Sequence, residues 1–243
     1  MGLQLEYYSG IDIGLRRTNN QDSLFINEKL NIFSVADGLG GHLGGEVASS
    51  MALSLMNESI IENMSGSFRT NPPSLIKKAF KKANQDIFNQ GQMYTSLKGM
   101  GTTLVMIWVQ DKQVFIGNVG DSRVYLYRNS QLWQLTDDHA IFTEASKKGF
   151  DIQENIAASR NLLTNSVGFR ENLQVDIFTR DTTAGDIYLL CSDGLHGMIS
   201  DQVILDVFQS EELKNIPQKC INKALSAGGY DNVAVIAVKI ISC

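Results

Sequence analysis

Two apolar runs in this sequence each end in an aspartate that is followed by a glycine, and this repeated pattern most restricts how the chain can fold. The first occupies residues 31–46 (NIFSVADGLGGHLGGE) and stops at Asp37, and the second occupies residues 186–197 (DIYLLCSDGLHG) and stops at Asp193. Such runs predict strands that are buried on both faces, and the glycines let the backbone turn sharply and approach a ligand closely. For the first run alone, an Asp-Gly hairpin turn is the alternative interpretation. The recurrence favours a strand that delivers Asp37 to a site.

Two further aspartates lie at the ends of apolar runs. Asp121 separates the runs at residues 114–119 and 123–127, and Asp231 comes just before the run at residues 233–238. Folding would bring these strand ends together, and carboxylates packed that closely repel one another unless cations neutralise them. The four aspartates therefore predict a metal cluster.

Bulk properties limit the class of protein. A chain of 243 residues with 43% hydrophobic content is long enough for one domain with a substantial core, so we expect a single domain over residues 1–243. No apolar run approaches the roughly 18 to 20 residues that span a bilayer. The first residues carry no secretory or myristoylation pattern, which predicts a cytoplasmic protein without membrane contact. A net charge of -5 argues against a nucleic-acid partner.

Neither the lysine cluster nor the cysteines indicate a separate site. Lys77, Lys78, Lys81 and Lys82 recur at helical spacing, which is typical of the solvated face of an amphipathic helix rather than of a binding patch. The three cysteines show no CxxC pairing and fit a reducing compartment. Cys191 lies within an apolar run and is interpreted as a core residue.

The order of predicted elements indicates an α+β fold. Helices are predicted at residues 46–64, from Pro72 onward, from about Asp201 and at residues 217–227. Four short strands between residues 101 and 135 predict an antiparallel meander, and further strands are expected at residues 173–178 and 232–240. A more polar stretch at about residues 137–170, with a short helix at 142–148, predicts a flap over the site. Strand blocks that alternate with helix pairs favour a β-sandwich of two antiparallel sheets with helices outside.

Six motifs in a fixed order resemble those of a known family. They are Arg17 with NNQD at 19–22, DGLGGH at 37–42, GTT at 101–103, VGDSR at 119–123, SDG at 192–194 and GGYDN at 228–232. Together they resemble the metal-dependent protein serine/threonine phosphatases of the PP2C type, most closely the bacterial branch, over residues 14–238. The resemblance implies a β-sandwich flanked by paired helices, in agreement with the predicted elements.

The resemblance also implies a role for each acidic residue. Asp37 would bridge two metal ions, with the Gly38 carbonyl on one of them and Asp193 and Asp231 on the other. Asp22 would hold a metal-bound water, and Asp121 with Asp193 would bind a third, weaker ion. Arg17 would grip the substrate phosphate, so Arg17, Asp37 and Asp193 are the expected catalytic residues. Independently of any family, such oxygen ligands suit Mg²⁺ or Mn²⁺ rather than Zn²⁺.

The expected mechanism is in-line attack on phosphorus by a water shared by two ions, without a covalent phosphoenzyme. Two positions depart from many relatives: Gln21 replaces a glutamate, and Leu39 replaces a histidine proposed as general acid. His42, three residues further on, is a candidate general acid. Its alternative is a structural histidine in the glycine loop.

The predicted activity is dephosphorylation of phosphoserine and phosphothreonine in proteins, opposing a cognate serine/threonine kinase, by a monomer. One alternative is a phosphatase-like module that binds phosphoproteins and has lost turnover. Another, within the enzyme class, is a phosphatase of a regulator of transcription-factor antagonists, although the Arg17 motif fits the general PP2C type better.

Overall fold

The structure, a computed structural model, describes residues 2–40, 44–64, 71–140 and 163–243. Within these ranges eleven strands form two antiparallel sheets. The strands are β1 (Gln4–Asp12), β2 (Asp22–Asn27), β3 (Ile32–Leu39), β4 (Gly101–Thr102), β5 (Leu104–Gln110), β6 (Gln113–Val119), β7 (Arg123–Arg128), β8 (Gln131–Gln134), β9 (Asp176–Asp181), β10 (Ile187–Cys191) and β11 (Val233–Ser242).

Each sheet mixes strands from distant parts of the chain. Sheet A has the order β1-β11-β10-β7-β8, and sheet B has the order β2-β3-β5-β6-β9 with the short β4 paired to β3. The hairpin between β7 and β8 turns at Asn129 and Ser130, which both have positive φ (53° and 59°). Two such residues in succession suit the tight turn that matches strand twist.

Five α-helices flank the sheets in the described ranges. They are α1 (Gly44–Met64), α2 (Pro72–Met93), α3 (Asp193–His196), α4 (Asp201–Ser210) and α5 (Ile216–Ser226). Pro72 and Pro217 lie in the first turns of α2 and α5, where a missing backbone N–H costs nothing. None of these helices is both long enough and apolar enough to cross a bilayer.

Apolar side chains fill three layers. Between the sheets lie, among others, Phe33, Val105, Tyr188 and Ile236. The α1–α2 pair covers sheet B through residues such as Met56, Phe80, Met106 and Trp108. The α4–α5 pair covers sheet A through residues such as Phe208, Ile221, Leu189 and Val235. The predicted α+β sandwich with flanking helix pairs is therefore confirmed.

Several predicted details are confirmed and others are wrong. The four lysines of residues 77–82 are exposed on α2, and Cys191 is fully buried in the core. The meander is wrong at its centre, because β6 belongs to sheet B and β7 to sheet A. The strand expected at 173–178 runs instead over Asp176–Asp181. The flap at 137–170 and its helix at 142–148 lie largely outside the described residues, which omit 141–162.

Candidate active site

Strand ends bring the predicted aspartates to one end of the sandwich. Asp37 lies in β3 and is directly opposite Asp22, the first residue of β2. Asp121 occupies the turn between β6 and β7, Asp193 begins α3 after β10, and Asp231 comes shortly before β11.

All of these aspartates except Asp22 line one cavity of about 320 Å³. It is lined by Arg17, Gln21, Asp37, Gly38, Leu39, Gly40, Asp121, Leu163, Asp193, Asp231 and Asn232. Six of the residues predicted for the site are thus together. Asp22 is buried, with 5% of its surface exposed, and does not line the cavity. His42 lies outside the described residues.

Neither Asp-Gly pair forms a hairpin turn. Gly38 and Leu39 continue β3 and pair with β4, and Asp193-Gly194 opens α3. The glycines serve close approach instead: a Cβ on Gly38 would overlap the carbonyl oxygen of Gly45, and one on Gly194 would overlap that of Asn232. The missing side chains therefore allow neighbouring backbones to pack beside each aspartate.

The backbone of Asp37 is fixed by two threonines. Its N–H donates to the Thr103 hydroxyl (2.9 Å), and its carbonyl accepts from the Thr103 N–H (2.8 Å) and the Thr102 hydroxyl (2.8 Å). The Thr103 hydroxyl also bonds the Ser122 hydroxyl at 2.7 Å, which ties Asp37 to the turn that carries Asp121.

Asn232 joins the first loop to the last. Its side-chain oxygen accepts from the Gln21 N–H at 2.9 Å, and its amide donates to the carbonyls of Ile13 (2.8 Å) and Asn19 (3.1 Å). Since Asn232 follows Asp231 directly, these bonds set where Asp231 lies relative to Asp22.

Ser192 holds Asp22. Its hydroxyl donates to Asp22 Oδ2 at 2.6 Å and accepts from the Ala234 N–H at 2.9 Å. Its hydroxyl is engaged both as donor and as acceptor, and no histidine of the described residues bonds it, which indicates a structural role rather than that of a nucleophile. This agrees with the expectation of a mechanism without a covalent intermediate.

Burial and the repulsion between neighbouring charges disfavour the ionised form of the aspartates. Burial, followed by the charges of Asp193 and Asp231, raises the pKa of Asp22 to about 8. Burial, followed by the charge of Asp193, raises the pKa of Asp121 to about 7. The pKa values of Asp37 and Asp193 are also raised, again with burial as the largest cause. A bound cation would reverse these effects, because it favours the charged carboxylates.

The donor set fits a hard divalent cation that keeps part of its water shell. The buried Oδ1 atoms of Asp22 and Asp193 have no hydrogen-bond partner, although buried carboxylate oxygens almost always have one. In the described part of the chain, no three His, Cys, Asp or Glu side chains are placed so that they alone could hold a metal. Main-chain oxygens and waters would have to complete the coordination, as Mg²⁺ and Mn²⁺ allow and as structural Zn²⁺ sites do not.

Arg17 lies at the mouth of the cavity. Its Nη2 donates to Asp231 Oδ2 at 2.7 Å, and this bond is the main reason that its pKa is raised. The side chains are 46% and 34% exposed, so the pair is open to solvent and to ligands.

The two described histidines both form hydrogen bonds with the turn that carries Asp121. His196 Nε2–H donates to the carbonyl of Asp121 at 2.9 Å, and burial lowers the pKa of this histidine to about 4. His139 Nδ1 accepts from the Gly120 N–H at 3.2 Å, and its Nε2 bonds Asp176 at 3.0 Å. Both therefore brace the turn that carries Asp121.

Comparison with known proteins identifies the family. A sequence model described as Protein phosphatase 2C matches residues 15–226. The chain belongs to this family. It is 35% identical over 235 residues to the serine/threonine phosphatase stp of Listeria innocua, and the match covers 94% of this chain and 93% of that protein.

Solved structures of the family have the same fold. The Mycobacterium tuberculosis serine/threonine phosphatase PstP/Ppp superposes with a TM-score of 0.86 at 32% identity, covering 97% of this chain and 98% of that one. The catalytic domain of PstP in complex with two manganese ions gives the same TM-score and identity, covering 99% of this chain and all of that one. The alternative of a phosphatase-like module without turnover is not favoured by relatives that are named phosphatases.

Several residues that hold the aspartates lie within the sequence motifs but had no predicted role. Thr102, Thr103, Ser192 and Asn232 all stood within the GTT, SDG and GGYDN motifs, yet only the structure shows that they hold the aspartates. Their positions inside ordered motifs were the signal that could have identified them.

Proposed function

We propose that this protein phosphatase 2C family member hydrolyses phosphoserine and phosphothreonine in proteins and that the activity requires Mg²⁺ or Mn²⁺. The observation that carries the proposal is a single cavity that, within the described part of the chain, is lined by four buried or half-buried aspartates and by the partly exposed Arg17. A phosphate monoester bears two negative charges and is bound where cations and arginine converge. The phosphatase names of the relatives support the same reaction.

Different residues of the chain would bind the different cations. Asp37, Asp193 and Asp231, with the Gly38 carbonyl, would hold two ions, and Asp22 would act through a water. Asp121 with Asp193 would take a third, weaker ion. When bound, such ions neutralise phosphoryl charge and lower the pKa of water so that it becomes a nucleophile at neutral pH.

Arg17 would bind the phosphoryl oxygens. A planar guanidinium can donate two parallel hydrogen bonds to them, which fixes the orientation of the phosphate. Its present partner, Asp231, is partly exposed, and exposed ion pairs contribute only about 0 to 1 kcal/mol. Exchange of Asp231 for a substrate phosphate is therefore inexpensive.

Other features of the proposal rest on the sequence alone. A cognate serine/threonine kinase as the opposing enzyme, a monomeric state, a cytoplasmic location, a single domain over residues 1–243 and a general-acid role for His42 stay predictions.

The decisive experiment is phosphate release from a phosphothreonine peptide, with Mn²⁺ or with chelator, by the wild-type chain and Asp37→Ala. We expect turnover only with metal, and a loss of about a hundredfold or more in Asp37→Ala, the size typical when a group that stabilises transition-state charge is removed. Asp86→Ala, the same change on the outer face of α2, serves as the matched control and should retain wild-type activity.

Metal binding without phosphate release, from either the peptide or a small aryl phosphate, would overturn the proposal in favour of a binding module. In that case Gln21 and Leu39 would be the first positions to restore to glutamate and histidine.

A further inference from the structure

Three exposed side chains stand beside the mouth of the cavity and have no part in the site described so far. Leu15 is 63% exposed, Tyr230 is 61% exposed, and Arg16 is also exposed. We call these three residues the rim shelf. Large apolar side chains this exposed next to a binding site indicate a contact surface when they are also held in place.

Two loops hold the rim shelf together. The Leu15 N–H donates to the Gly229 carbonyl at 2.7 Å. An added Cβ on Gly229 would lie 2.9 Å from Leu15 Cγ, so the loops are in direct contact. Gly228 and Gly229 have positive φ values of 130° and 52°, which other residues rarely adopt. The two glycines therefore allow the turn that presents Tyr230.

The Tyr230 ring is fixed from two directions. The Arg16 guanidinium carbon lies over the ring, 5.7 Å from its centroid, within the range of a cation–π contact. A Cβ on Gly228 would come within 2.7 Å of ring carbon Cε2, so the ring lies directly against the glycine backbone. Tyr230 is thus exposed but pre-positioned, which lowers the entropy that binding would cost.

Arg16 carries a charge that is available to a ligand. Among the described residues its one recorded interaction is with the Tyr230 ring, and it makes no salt bridge there. Its neighbour Arg17, in contrast, is paired with Asp231. The rim shelf therefore combines an apolar surface with one cation that is not neutralised by a carboxylate in the described residues.

The rim shelf is continuous with the phosphate site. Arg16 precedes Arg17 and Tyr230 precedes Asp231, and both of these second residues line the cavity. Consecutive residues are about 3.8 Å apart along a chain, in the enzyme and in a peptide substrate alike. A phosphoresidue that occupies the cavity would consequently place its chain neighbours within reach of the rim shelf.

We propose that the rim shelf binds the residues that flank the phosphorylated side chain, with an apolar flanking residue on Leu15 and Tyr230 and an acidic one on Arg16. This inference rests on the proposed function and names its substrate class: phosphopeptides with acidic and apolar flanks. Exposed charge contacts and cation–π contacts are each worth a modest part of the binding free energy, so the selectivity is a matter of several-fold changes.

The test compares three phosphothreonine peptides and p-nitrophenyl phosphate. The first peptide carries one Glu and one Leu on each side of the phosphothreonine. The second has Lys in place of each Glu, and the third has Ala in place of each Leu. For the wild-type chain with Mn²⁺ we expect kcat/KM to be about two- to fivefold higher for the first peptide than for the second, the size of one exposed charge contact.

Two variants separate the parts of the rim shelf. Arg16→Glu should reverse the preference between the Glu and Lys peptides, and Tyr230→Ala should raise KM for the Leu peptide about threefold or more while removing the preference over the Ala peptide. Both should keep the wild-type kcat/KM for p-nitrophenyl phosphate, which has no flanking residues. Because the aryl phosphate reports on the folded site, a change confined to the peptides cannot come from misfolding.

Matched controls come from another surface. Arg180→Glu and Trp133→Ala alter an exposed arginine and a 52% exposed tryptophan that line a different cavity. They should leave all four substrates unchanged. The inference is overturned if these controls alter peptide selectivity as much as the rim-shelf variants do, if the rim-shelf variants leave it unchanged, or if they impair p-nitrophenyl phosphate equally. Absence of turnover of every substrate by the wild-type chain would instead overturn the proposed function, and the inference with it.

Discussion

At the scale of single residues, the glycines that follow Asp37 and Asp193 matter because of the backbone that packs against them. Gly194 packs so closely on the carbonyl of Asn232 that no side chain fits, and Asn232 in turn holds the Gln21 backbone. A buried backbone contact of this kind cannot move aside as a flexible side chain could.

We therefore expect Gly194→Ala to lower the free energy of unfolding by about 3 kcal/mol or more, at the upper end of overpacking changes. Urea unfolding measures it. Gly185→Ala is the control for backbone strain alone: its φ of 97° is unusual for alanine, but its Cβ would meet nothing within 4 Å, so the cost should be about 1 kcal/mol. A loss in Gly194→Ala no larger than that in Gly185→Ala would contradict the contact with Asn232 as the reason for the glycine.

At the scale of elements, Asp186, which does not line the cavity, connects the two sheets. Asp186, just before β10, accepts two hydrogen bonds from Arg128 at the end of β7 (2.7 and 2.6 Å). It also accepts from the Thr182 hydroxyl and the Thr183 N–H, both just after β9 (2.8 Å each). One carboxylate thereby joins β7 and β10 of sheet A to β9 of sheet B.

The Asp186 cluster predicts a pH-dependent loss of stability in Asp186→Asn. Burial alone would raise the pKa of Asp186, but hydrogen bonds from Arg128 and from Thr183 outweigh burial, so the pKa is lowered. A carboxyl group whose pKa is lowered in the folded state stabilises the fold at pH values above its ordinary pKa of about 4. This stabilisation is lost as the pH falls through the folded-state pKa.

Asp186→Asn should thus cost about 2 to 4 kcal/mol at pH 7, as when one partner of a buried ion pair is removed, and progressively less below pH 4. Urea unfolding at several pH values checks both parts. Asp86→Asn, which breaks an exposed pair with Lys82, should cost under about 1 kcal/mol. A deficit that does not shrink at low pH would contradict the ionic explanation.

Sequence reasoning worked where local signals decide an element and failed where packing decides it. Helix boundaries at 46–64 and 217–227 came within two residues of Gly44–Met64 and Ile216–Ser226, because caps, prolines and periodicity are local. The sheet assignment of β7 was missed because the turn at Asp121 resembles a hairpin although the chain crosses there to the other sheet.

The candidate site follows the same division. Asp37, Asp121, Asp193 and Asp231 were found because each one ends or begins an apolar run, whereas Asp22 was assigned through the family resemblance. The pairing of Asp22 with Asp37 depends on the register between β2 and β3, and the hydrogen bond from Ser192 to Asp22 joins residues 170 positions apart in the sequence. No local pattern encodes either contact. The strand expected at 173–178 was displaced because Leu173 is buried in the core and Asn84 binds the preceding carbonyls of Arg170 and Glu171.

At the scale of the whole molecule, burying several carboxylates around one cavity costs folding free energy when no cation is bound. The raised pKa values of Asp22, Asp37, Asp121 and Asp193 all express the cost of burying like charges at one end of the sandwich. A ligand that binds only the folded state adds stability in proportion to the logarithm of its concentration over its Kd.

Mn²⁺ at a hundred times its Kd should therefore add about 2.7 kcal/mol, or roughly 5 to 10 °C in Tm for a chain of this size. Thermal unfolding with Mn²⁺ or with chelator measures the shift, which follows from binding and does not depend on turnover. Asp193→Asn should melt at or above the wild-type Tm in chelator, because it removes a buried charge that neighbouring Asp231 repels, yet it should gain much less from Mn²⁺. Asp206→Asn, on α4 and away from the cavity, should respond to Mn²⁺ as the wild type does. An equal Mn²⁺ shift in Asp193→Asn and the wild type would place the cation elsewhere than among these strand ends.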